Sequence, residues 1–248
     1  MTNEENEKTA VDRMWKATGA FMQSLDAQPG WKEFQKAKMR RAIDSAMDPD
    51  EMFLRDDALP DEFLFPTNVA QQHDVVIQYL GLLESVSAVK SCEYYFRRYP
   101  FRGLPVSRHE HLTNVCEMFF GRFYEFRERI KKYSEAIAAV VPDHRLEFGK
   151  FIKQFDKEFD RELRERNQIH HHRRFSDLAI DQIFLTGVIS QRRADKGWEA
   201  EHLAAYRKAA NEWARRAKTR GARMDEFMEA IAEATLHVCS FLSVDAKP

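Results

Sequence analysis

Eight apolar side chains, Leu112, Cys116, Phe119, Phe123, Phe126, Ile130, Tyr133 and Ile137, follow one another in alternating steps of four and three. An α-helix turns once in about 3.6 residues, so this series falls on one stripe and predicts a long amphipathic helix. Such a helix buries its stripe only against other helices. Matching series occur at Val76, Leu80 and Leu83, and at Phe148, Ile152, Phe155, Phe159 and Leu163. They recur at Leu203, Tyr206, Ala210, Trp213 and Ala217, and in a last helix with Met224, Phe227, Ile231, Ala234, Val238 and Phe241. Shorter helices are predicted near the start, at Val11, Trp15, Thr18, Met22 and Leu25 and from Trp31 through Met47. Strand-like alternation is not evident. The expected fold is all-α, a bundle of long antiparallel helices with extra N-terminal helices.

Prolines and glycines mark the expected breaks: Pro29 and Gly30, the segment with Pro49, Pro60 and Pro66, Pro100 through Pro105, Pro142, and Gly221. None forms a long linker, so one helical domain over 1–248 is expected. The acidic, proline-punctuated stretch from Asp48 to Asn68 is the best place to subdivide it, into an N-terminal extension (1–66) and a main bundle (67–248).

The chain carries 39 basic and 40 acidic side chains, so any nucleic-acid contact requires a local patch rather than a global field. The start, Met1 to Glu5, has no signal-peptide character. The best apolar run is interrupted by Gln78, Glu84 and Lys90, so a cytoplasmic protein without a membrane span is expected. Cys92, Cys116 and Cys239 are far apart and sit within apolar helical patterns, which reads as reduced core cysteines.

One segment stands out for chemistry: Arg166, Asn167, Gln168, Ile169, His170, His171, His172, Arg173 and Arg174, after the helix with Phe155, Phe159 and Leu163. Imidazole exchanges a proton near neutral pH, and the planar guanidinium matches phosphate oxygens. Together they suit phosphoryl chemistry. An Arg, a polar residue directly after it and a His five positions beyond the Arg, here Arg166, Asn167 and His171, resemble the mark of the HEPN superfamily. That resemblance implies an all-α bundle, a homodimer pairing two copies of the motif, and metal-independent RNA cleavage through the 2′-hydroxyl. It also implies a toxin or defence role, with a possible antitoxin protein as partner. Arg166, Asn167 and His171 would be the catalytic set, with His170, His172, Arg173 and Arg174 as phosphate or RNA contacts and no cofactor.

Helical geometry sets two stripes here. Positions four apart lie about 40° apart around the axis and positions five apart about 140°, so Arg166 faces His170 while Asn167 faces His171. A kink or frayed end would let Arg166 and His171 converge; His171 is the preferred functional histidine and His170 its substitute. The same residues also suit an ordinary helix end, where cations complement the dipole and Glu162 offers Arg166 a surface ion pair. A noncatalytic protein-interaction or nucleotide-binding module of the same fold is the alternative reading.

Three consecutive histidines diverge by about 100° per residue and cannot jointly hold one ion. Glu199 and His202 form a single Glu-x-x-His spacing where a di-iron bundle needs two, and His109, Glu110 and His111 read as a polar helix start after Ser107. No metal is expected. Arg215, Arg216, Lys218, Arg220 and Arg223 form a basic stretch, at a helix end marked by Gly221, that suits either solvent or an RNA backbone. Trp15, Trp31, Trp198 and Trp213 are read as packing residues, and Tyr94, Tyr95 and Phe96 as core or interface. The chain has no glycine-rich phosphate loop or nucleophile elbow.

Overall fold

The computed structural model describes residues 9–47, 62–101, 103, 105–192 and 196–242. Among them are eight α-helices and no strand: α1 Ala10–Ser24, α2 Trp31–Met47, α3 Thr67–Arg97, α4 Arg108–Val140, α5 Phe148–Glu158, α6 Asp160–His171, α7 Leu178–Arg192 and α8 Lys196–Val238. The fold is an all-α helical bundle. Met1 to Glu5 and the segment with Pro49 and Pro60 lie outside the described residues, and with them most of the proposed boundary.

The described residues form two compact units. One takes those within Met1–Ile77, Ala136–His144 and Ala232–Pro248; the other takes Gln78–Glu135 and Arg145–Ile231. In the first unit, Thr9 caps α1 by accepting the Asp12 amide at 3.2 Å. Met14, Ala17, Thr18 and Phe21 are buried, and Phe21 packs edge-on against Phe241. This corrects the expected face: Thr18 and Leu25 are buried, but Trp15 is 61% exposed. Two apolar sets with helical spacing compete on α1, and the one containing Met14 and Phe21 is buried. Gly30, at φ +81°, turns the chain into α2. There Trp31 meets Phe34, Phe63, Phe65 and His73 in an aromatic cluster.

In the second unit, α3, α4, the α5–α6 pair and α8 run alternately up and down. Tyr95 of α3 meets His111 of α4, whereas Arg129, further along α4, reaches back to Glu84. Phe126 packs on Phe155 and Phe123 on Phe159, so α5 and α6 ascend as α4 descends. Phe227 covers Phe155 and Phe159, and Trp213 sits with Phe96, Phe120 and Phe175. The predicted α4 stripe is buried from Leu112 through Ile137. Tyr94 and Tyr95 flank the buried Phe96 but are 59% and 45% exposed, so neither is a core residue.

Two expected helix boundaries are corrected. The series from Phe148 to Leu163 is two helices, separated by Phe159 at φ −108° and ψ 23°. Arg220 donates to the Glu158 carbonyl at 3.0 Å, supplying a hydrogen bond at that break. Conversely, α8 runs unbroken through Gly221 for 43 residues. A β-carbon at Gly221 would stand 2.8 Å from Cγ of Lys90, so this glycine permits a close approach of α3 rather than ending a helix.

α3 contains an 18-residue window of mean hydropathy 1.2, long and apolar enough to cross a membrane by length and composition alone. Gln78, Glu84 and Lys90 therefore interrupt the run without excluding such a window. Of that window, 44% is buried inside the fold.

Candidate functional site

The Arg-Asn-His segment forms the second half of α6, which stays α-helical to His171 and ends at His172, at φ −134° and ψ −41°. The amides of His172 and Arg173 both return to the Gln168 carbonyl, at 2.9 and 3.1 Å. With no kink between Arg166 and His171, those residues keep the wide angular separation of a regular helix, and the two stripes remain Arg166 with His170 and Asn167 with His171.

Asn167, His170, His171 and His172 are exposed. The His170 and His171 rings stand 4.8 Å apart, edge to face, and neither imidazole has a hydrogen-bond partner among the described residues. Arg166 is half-buried, with its guanidinium carbon 3.8 Å from the centroid of the Tyr124 ring and Nη1 donating to Oδ1 of Asn167 at 3.2 Å. A stacked guanidinium keeps its remaining donors in one plane and pays less entropy when an anion arrives. Arg173 donates to Gln168 at 3.1 Å. Arg174 reaches α4, at 2.6 Å from Asn114 and 3.4 Å from Glu117, and Glu117 also accepts the Phe175 amide at 3.1 Å.

Glu162 is not the surface partner of Arg166. It is 1% exposed and accepts from Arg216 at 2.8 Å and from Arg220 at 3.1 and 2.8 Å. Burial alone would raise its carboxyl pKa, but the hydrogen bonds from Arg220 and Arg216 outweigh that and hold it below the ordinary value. Glu158 adds a second carboxylate, paired with Arg220 at 3.1 Å and Arg223 at 3.4 Å. The basic stretch is thus mid-helix, and three of its five cations are committed to carboxylates. Arg215 and Lys218 are exposed and have no ion pair among the described residues. Reading the sequence alone missed this network; the i,i+4 pairs Glu158/Glu162 and Arg216/Arg220 are the signal that was available.

The thiols sit apart from this chemistry. All three are free and buried, and burial pushes Cys92 and Cys239 to about 11 and Cys116 well above its ordinary value. Ser107 accepts the Glu110 amide at 3.1 Å, which makes the His109–His111 segment a capped helix start. Glu199 and His202 do not form a ligand cluster: no group of three or more metal-ligating side chains gathers among the described residues. His202 instead contacts the Ile183 carbonyl at 3.1 Å and Thr186 at 3.3 Å, on α7.

Fold and site together define an all-α bundle protein with an exposed, imidazole-bearing cationic helix end. No protein-family model matches the chain, and no curated protein or solved structure matches it significantly.

Proposed function

We propose that the protein is a metal-independent endoribonuclease of the HEPN type, acting in the cytoplasm as a homodimer, as a toxin or defence effector with an antitoxin partner. The observation that carries this reading is the end of α6: two exposed imidazoles without a hydrogen-bond partner among the described residues, Asn167 one turn behind His171, and Arg166 held against Tyr124. His171 takes the proton of a 2′-hydroxyl, and the oxygen attacks the adjacent phosphorus. The 5′-oxygen of the next nucleotide leaves with a proton, giving a 2′,3′-cyclic phosphate and a 5′-hydroxyl. Arg166 stabilises the charge on the phosphorane, and Asn167 orients it. Because Arg166 and His171 lie on different faces of one helix, a second copy supplies the facing half of the site.

The test is cleavage of a mixed cellular RNA pool by purified protein in EDTA. Cyclic-phosphate ends are expected with the wild type and not with His171→Ala or Arg166→Ala, each checked for intact helicity. Undiminished cleavage by both variants overturns the assignment.

A second reading, a noncatalytic module that binds a partner protein, is favoured by α7, where Leu178, Phe184 and Leu185 are 89%, 54% and 59% exposed. It predicts no RNA turnover by any form of the chain, and loss of partner binding on Leu185→Glu.

A further inference from the structure

A groove opens between α3 and α4 beside the loop that joins them, with a cavity volume of about 590 Å³. That is within the range of small-molecule sites, roughly 300–1,000 Å³. Its walls are mainly apolar: Ala88 and Tyr95 from α3, Phe101 from the loop, Val115 and Met118 from α4. Ser87, Ala88 and Ser91 are small, which opens the α3 side.

His111 lines the same groove although it is only 6% exposed. Its Nε2 lies 3.1 Å from the Tyr95 carbonyl. A carbonyl can only accept, so Nε2 carries the hydrogen. Nδ1 of the neutral ring is then an acceptor, and no described residue donates to it. The ring is fixed edge-on against Tyr99 and Phe101, with centroids 5.7 and 5.6 Å away. Nδ1 is not among the sealed polar atoms that lack a partner, so solvent reaches it, and a ligand's donor takes the place of water there. The far end of the groove has no cation to spare: Arg122 is paired with Glu125 at 2.7 Å, and Glu84 beside it is an acid. The walls favour a flat apolar body, Arg122 and Asn114 are already held by Glu125 and Arg174, and the fixed His111 ring offers an acceptor to a donor.

We propose that this groove binds a small uncharged aromatic molecule that donates one N–H or O–H group to Nδ1 of His111. The groove borders the Arg166–Arg174 segment at Asn114, which accepts from Arg174 at 2.6 Å, but the proposal does not depend on ribonuclease activity.

The experiment uses the full-length, isotope-labelled chain titrated with matched pairs, indole against 1-methylindole and phenol against anisole, followed by amide chemical shifts. Indole and phenol are expected to shift amides near His111, Val115 and Met118, and to bind about tenfold more tightly than their methylated partners. Met118→Trp, which fills the groove and leaves the His111–Tyr95 hydrogen bond in place, should abolish the shifts. His111→Phe should retain weak binding and lose the discrimination within each pair. Equal affinity within the pairs on the wild type, shifts that map elsewhere, shifts that survive Met118→Trp, or no binding at millimolar indole and phenol each overturn the proposal.

Discussion

Arg220 grips Glu162 with two parallel hydrogen bonds, Nε to Oε1 at 3.1 Å and Nη2 to Oε2 at 2.8 Å, across the junction of α5 and α6. Arg216 adds a third at 2.8 Å, and Arg220 also lies over the Phe159 ring at 5.0 Å. The network ties α8 to the point where α5 gives way to α6. Removing the carboxylate leaves two guanidinium groups, 20% and 23% exposed, without their central counter-charge. Breaking a buried ion pair of this kind costs about 3–5 kcal/mol. Glu162→Ala is therefore expected to lose about 3 kcal/mol in urea unfolding, the lower end because both arginines keep some solvent. A loss below 1 kcal/mol would mean that the arginines are satisfied without it.

Gly221 offers a test in which two effects oppose each other. Alanine raises helix propensity by about 1 kcal/mol over glycine in a helix interior. At this site, however, its β-carbon would meet Cγ of Lys90 at 2.8 Å, and that side chain is restrained by an ion pair with Asp225 at 2.8 Å. The atom lies near the base of the side chain, so α3 and α8 must separate, at a cost of about 1–3 kcal/mol. Gly221→Ala should be neutral to destabilising by up to about 2 kcal/mol, and Gly221→Ala with Lys90→Ala should be more stable than Gly221→Ala alone. A clear gain in Tm for the single variant would show that the contact relaxes freely.

The same glycine shows why some of the fold was legible in the sequence and some was not. The α4 stripe could be read because seven consecutive steps agree on one face, and α2 because Gly30 precedes it. At Gly221 a local signal stood for two different things, a helix end or a close approach, and only the position of Lys90 decides between them. On α1 the competing series were both helical, and burial of Met14 rather than Trp15 is decided by what packs above. The candidate site divides similarly. The exposed histidines at the end of α6 follow from the motif and helix geometry, whereas Glu162 depends on Arg216 and Arg220, more than 50 residues away. The His111 groove depends on the pairing of α3 with α4, which no local pattern specifies.

Tyr79 is fully buried, and its hydroxyl has no hydrogen-bond partner among the described residues. Burial, and then the charge of Glu229, raise its pKa, so the phenol stays neutral and contributes an uncompensated polar atom. Phenylalanine keeps the ring packing against Tyr133, at 6.2 Å between centroids, and removes that atom. Tyr79→Phe is expected to leave stability unchanged or raise it by up to about 1 kcal/mol. A loss of more than 1 kcal/mol in denaturant unfolding would reveal a donor or acceptor serving the hydroxyl.

Stability should fall in two stages as the solution is acidified. Burial holds His73 below its ordinary value of 6.5, with Asp74 opposing. Burial and then Arg108 do the same for His202, with the Ile183 carbonyl and Glu199 opposing. For both residues the unfolded chain takes up protons that the folded chain refuses. Their contribution is therefore complete above pH 6.5, begins to fall as the pH drops through that value, and levels off below the folded-state pKa. Glu162 acts at lower pH: its folded pKa is below 4.5, so its contribution is present above that value and is lost as the pH falls through the folded pKa. His73→Gln and His202→Gln should each flatten the first stage and leave the second intact, whereas Glu162→Gln should do the reverse. Urea midpoints measured between pH 8 and pH 3 separate the stages, and a midpoint independent of pH from 8 to 5 in the wild type would contradict the assignment to the two histidines.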